Sequence, residues 1–147
     1  MTDTNYDTDF YQWTQAQAAH LRAKNLAALD LDHLAEEIDS LGNEQAHAVE
    51  SHLAIVVTHL LKWWYQPQRR RRGWQTSVLL DRQHIARRLR RSPGLRPQVP
   101  TLLTDAYADA RKWAAQETGL PLATFPETCP WSLAQVLDAD CLPEETL

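Results

Sequence analysis

The stretch from Asp30 to Tyr65 limits what this chain can fold into more than any other part of it. Leu31, Leu34, Ile38 and Leu41 recur at intervals of three and four, which lines them along one side of a helix. Continued in seven-residue repeats, the seam reaches Gln45, Ala48, His52, Ile55 and His59; continued at 3.6, it reaches Val49, Leu53, Val56, Leu60 and then Trp63 or Trp64. The apolar face therefore drifts, as on a helix packed in a globular core and unlike a coiled coil. Gly42-Asn43 has the chemistry to end one helix and cap another. The whole stretch as one helix would reach roughly 54 Å, whereas a sphere made from a chain of this size is only about 40 Å across. Yet one interior glycine costs only ~1 kcal/mol, and the seam keeps its phase across Gly42. The expectation is a continuous helix, bent at most at Gly42, in an elongated bundle.

The flanking segments also carry helical signals. From Asp9 to Asn25, Phe10, Trp13, Ala16, Ala19 or His20, and Leu21 keep helical spacing, with Asp7 or Thr8 available as a cap. Pro67 ends the long helix, because proline lacks a backbone donor and restrains Gln66 before it. A third helix spans about Gly73 to Arg91 on the row Trp74, Val78, Ile85 and Leu89, with Arg82 on the same row. A fourth starts between Pro97 and Pro100 and closes at Thr118-Gly119. Three further prolines then impose an extended crossing before a short helix, about Trp131 to Leu137. The large side chains Trp131, Leu133, Val136, Leu137 and Leu142 predict a tail wrapped over the rest. With only four glycines, the fold class is all-α: an elongated helical bundle of four main helices, with one long central helix and a C-terminal wrapping tail carrying a short helix. One domain is expected over residues 1–147, with 1–8 a frayed lead-in, 9–119 the bundle and 120–147 the tail.

Several classes are disfavoured. Residues 1–7 are acidic and polar, unlike an export signal, and the apolar run Leu53 to Leu61 is far too short to span a membrane. Cys129 and Cys141 lack metal or redox spacing, which points to reduced thiols in a cytoplasmic protein. The net charge of −4 hides a segregation: residues 1–61 carry −8, residues 62–96 carry +10 and residues 97–147 carry −6. A positive middle between negative ends can close on itself, attract a polyanion or pair with another copy.

Several blocks resemble one family. They are Tyr6-Asp-Thr-Asp-Phe-Tyr-Gln-Trp, Leu29-Asp-Leu-Asp-His-Leu-Ala-Glu-Glu-Ile-Asp-Ser-Leu-Gly, His59-Leu-Leu-Lys-Trp with Tyr65-Gln-Pro, Ser92-Pro-Gly-Leu-Arg, and Phe125-Pro-Glu-Thr-Cys-Pro-Trp. Together they resemble the domain of unknown function 29 family along nearly the whole chain. The resemblance implies an α-helical fold and a bacterial origin, and it implies no activity.

The residues carry partial signals of three chemistries. Glu44-x-x-His47 and Asp81-x-x-His84 have the spacing of carboxylate-bundle metal ligands, but the companion glutamates are missing. Glu36, Glu37, His52 and His59 are the remaining metal candidates, for a hydrolytic alternative; no cofactor is expected. Arg69, Arg70, Arg71 and Arg72, with Arg87 and Arg88, are interleaved with Trp64, Tyr65 and Trp74, a pattern suited to phosphates and to stacking on unpaired bases. The alternative is that the tryptophans are core and the arginines are solvated or pair with Glu36, Glu37, Asp39 and the acidic fourth helix. Arg82, on an apolar row, is expected to form a structural ion pair with Glu37. No activated Ser or Cys and no phosphate loop is visible, so the catalytic residues are unknown and the balance leans away from an enzyme. The leading expectation is an interaction or regulatory module working through the basic, Trp-rich junction. Its partner would be an acidic protein or a second copy; nucleic acid is not favoured and membrane is excluded.

Overall fold

A computed structural model describes residues 5–143. Over those residues the regular elements are α1 (Phe10–Arg22), α2 (Leu31–Tyr65), α3 (Arg72–Arg91), α4 (Val99–Thr118) and α5 (Leu133–Leu137), joined through short 3-10 turns. The all-α class, the long central helix and the tail with its short helix agree with the sequence. Helix α2 passes Gly42 unbroken. Contacts divide the chain inside α2 into two compact units, Met1–Glu44 and Gln45–Leu147.

In the first unit, α1 is capped by Asp9, one residue later than expected, whose carboxylate accepts from the Gln12 N–H at 3.0 Å. The helix ends at Arg22, and Lys24 turns the chain with a positive φ of 56°. Of the expected lead-in, residues 5–8 form a turn in which the amides of Thr8 and Asp9 donate to the Asn5 carbonyl. Residues 1–4 lie outside the described residues.

The inward face of this unit is small and mostly polar. Trp13 is 2% exposed, and its indole N–H donates to Asp30 at 3.0 Å. The buried Gln17 accepts from the Asp30 amide at 2.8 Å. The Tyr6 ring stacks on His33 at 3.8 Å and meets Trp13 edge-on. Its hydroxyl donates to the Glu37 carboxylate, which pushes the Tyr6 pKa up to about 12.

Asp30 and His33 are in contact at 2.7 Å. Asp30 holds the His33 imidazole above its ordinary 6.5. His33, with the Trp13 N–H, holds the Asp30 carboxyl below 3.8. The stabilisation is therefore fully present between those two ordinary values. It is lost as pH rises through the raised His33 value, and as pH falls through the lowered Asp30 value. Replacing His33 with Gln is expected to abolish the alkaline loss, read as hydrogen exchange of α1 across a pH series. An unchanged profile would assign that loss to another group.

The second unit has a conventional apolar core. Helix α2 contributes Val49, Leu53, Val56 and Leu60, α3 contributes Val78, Ile85 and Leu89, and α4 contributes Leu103, Ala106, Tyr107, Ala110 and Ala114. Phe125, Trp131 and Val136 from the tail complete it. Gly119 ends α4 in the left-handed conformation at φ 72°, its N–H returning to the Ala115 carbonyl. A Ser132–Gln135 capping box starts α5.

Candidate interaction surface

The end of α2 sorts its aromatic residues by what they touch. Trp64 packs on Trp131 with ring centres 5.3 Å apart, and Tyr65 meets Phe125 at 5.1 Å, so both face the core. The Arg70 guanidinium lies 4.7 Å over the Trp63 ring, and its Nε donates to the Trp63 carbonyl at 2.8 Å. Lys62 sits 4.6 Å over the Trp74 ring and pairs with Glu117 at 3.0 Å. Each of these rings therefore already has a partner within the unit. Arg69, Arg71 and Arg72 are exposed, and no carboxylate of the described residues pairs with them.

Arg87 and Arg88 do not belong to that group. They lie on α3 roughly 22 Å or more along the axis from Arg72. Arg88 donates to Gln45 at 2.9 Å, while Arg87 is exposed. Near that end of α3, Arg82, Ile85, Leu89, Arg90, Arg96 and Leu137 wall a shallow cleft of about 210 Å³. The set proposed from sequence thus falls into two separate clusters, because helical rise carries residues close in sequence far apart along an axis.

Arg82 is buried as expected, at 4% exposure, but its partner is not Glu37. Its Nε donates to the Val136 carbonyl at 2.7 Å and its Nη2 to the Gln135 carbonyl at 3.1 Å. Glu37 instead accepts from Tyr6. The physical reason lies in the tail. A helix of only five residues leaves its last carbonyls without backbone donors, as extended chain interrupted by prolines does elsewhere in the tail, and buried carbonyls need partners. Arg111 meets the Phe125 carbonyl at 3.1 Å, and the Tyr107 hydroxyl donates to that of Pro126. Side-chain donors thus secure the tail repeatedly, a role invisible in sequence because a backbone acceptor has no letter of its own. Burial lowers the Arg82 pKa, opposed by nearby Cys141, Asp138 and Asp140.

The metal candidates are dispersed among separate tasks. His52 Nδ1 lies 2.6 Å from Asp81, and its ring stacks on His84 at 4.9 Å. His59 uses its Nδ1 on the Ile55 carbonyl of its own helix. Glu36 is exposed and Glu37 is bonded to Tyr6. Among the described residues, no three His, Cys, Asp or Glu side chains gather as a metal-holding group. Both cysteines are free thiols, and burial pushes the Cys129 thiol up, away from the reactive thiolate.

The family described as Domain of unknown function DUF29 matches residues 5–142. The chain belongs to the DUF29 family. No characterised protein and no solved structure matches it. The DUF29 match takes in both units, from the Tyr6 turn to the tail carbonyls held by Arg82. Among the described residues of this DUF29 protein, no helix is long and apolar enough to cross a membrane.

Proposed function

We propose that this protein is a non-enzymatic interaction module whose basic turn, Arg69–Arg72, takes an acidic segment of a partner protein. The observation that carries this is the division of labour within the turn. Arg70 is fixed by the Trp63 ring and carbonyl, and it reaches the Pro143 carbonyl at 3.5 Å. It braces the backbone while Arg69, Arg71 and Arg72 remain exposed. Guanidinium forks held on a braced turn suit carboxylates, because less side-chain and loop freedom is lost on binding. Single-stranded nucleic acid is less favoured, since Trp64 and Tyr65 pack on the core and Trp63 and Trp74 lie beneath cations.

The test measures an oligoglutamate peptide and a single-stranded oligonucleotide against the native chain and a triple Arg69→Gln, Arg71→Gln, Arg72→Gln variant. The peptide is expected to lose at least tenfold in affinity with the melting curve unchanged. Equal peptide binding by the variant would sink the proposal, and a marked preference for the oligonucleotide would transfer the surface to nucleic acid.

A further inference from the structure

We infer that the uncovered stripe on the first part of α2 is a docking face for a basic amphipathic helix of a partner protein. The inference is independent of the arginine turn. The stripe runs through Leu31, Ala35, Ile38 and Gly42 at steps of four and three, and ends at Gln45, a polar side chain that already accepts from Arg88. Carried on in the same phase, it becomes Val49, Leu53, Val56 and Leu60, each at most 1% exposed. Helix α2 thus buries this stripe in its second part and leaves it open in its first. There Leu31 is 66% and Ile38 65% exposed, and a side-chain carbon built on Gly42 would meet nothing within 4 Å. An exposed apolar stripe in the phase of a core is the kind of patch that marks an interaction site.

The shape selects a helix. Ala35 and Gly42 leave hollows beside the Leu31 and Ile38 side chains, and ridges of a second helix can enter such hollows at close range. The charge selects its chemistry. Asp32, Glu36 and Asp39 are all exposed along one edge of the stripe, and no base of the described residues pairs with them. A second copy fits poorly, because two-fold antiparallel pairing would set these three carboxylates of both copies along a common edge. Lysines or arginines beside an apolar row complement that edge.

The probe is a labelled synthetic helical peptide with leucines at three-and-four spacing and lysines along one edge, titrated onto the full chain by anisotropy. Micromolar binding is expected. It should weaken at least tenfold with Ile38→Gln, and likewise with Asp32→Asn, Glu36→Gln and Asp39→Asn combined, while circular dichroism shows helix content retained. A peptide with glutamates in place of lysines should not bind. Absent binding, or binding indifferent to Ile38→Gln or to the charge changes, overturns the inference. So does a concentration-dependent dimer that Ile38→Gln abolishes, which would give the face to a second copy.

Discussion

Replacing Arg82 with Met is expected to lower stability in urea by about 3 kcal/mol, with the tail losing order before the rest of its unit. Methionine fills much of the same volume, so the loss arises from polar groups and not from a cavity. Two carbonyls lose their donors, that of Val136 from a buried bond and that of Gln135 from a part-buried one. An orphaned buried acceptor costs about 1–3 kcal/mol, and a charged donor raises the value of what is removed. Arg82→Lys should recover only part of the loss, because a single ammonium cannot reproduce the two-point geometry of the guanidinium fork. The measurement is the urea midpoint of the three proteins, with amide exchange of α5 as the local reading. A loss below about 1 kcal/mol for Arg82→Met would mean that water can replace the fork and that the tail is held by its apolar side chains alone.

Arg82 also shows where sequence reasoning stops. Its place on the apolar row of α3 was enough to predict burial, since periodicity reports which face a residue shares. Its partner could not be read in the same way. A carboxylate is visible as a letter, whereas the unpaired carbonyls at the end of the short helix α5 become acceptors only through the way the tail folds. The long helix was legible for a related reason: the apolar phase persists across Gly42, and one glycine costs too little to override it. That same seam did not reveal coverage. Leu31 and Ile38 look like core in the sequence, yet they are exposed, because spacing identifies a face and not what lies opposite it. The aromatic residues of the proposed patch differ from their expected role in the opposite sense. Trp64 and Tyr65 follow the helix inward to meet Trp131 and Phe125, contacts set by a tail some sixty residues downstream. Arg69, Arg71 and Arg72 remain as the exposed part of that patch.

Trp13→Ala is expected to unfold α1 while leaving the second unit folded. Among the described residues before Val49, Trp13 is the only large apolar side chain that is fully buried. Removing such a ring typically costs about 3–5 kcal/mol. The structure around it has little apolar burial in reserve, with Phe10 and Leu21 about half exposed. The loss would also take away the indole donor to Asp30 and the surface that Tyr6 meets edge-on. Trp13→Phe separates these contributions. It keeps a ring in place but deletes the N–H, so about 1 kcal/mol should be lost and α1 should persist. Residue-resolved hydrogen exchange reads both outcomes. In Trp13→Ala, amides of Phe10–Arg22 should exchange at nearly unfolded rates, while those of Val49–Leu61 keep their protection. The basis is that the apolar cluster of the second unit draws on no residue before Ala46. Equal loss of protection in both segments would show that the chain opens as one cooperative unit.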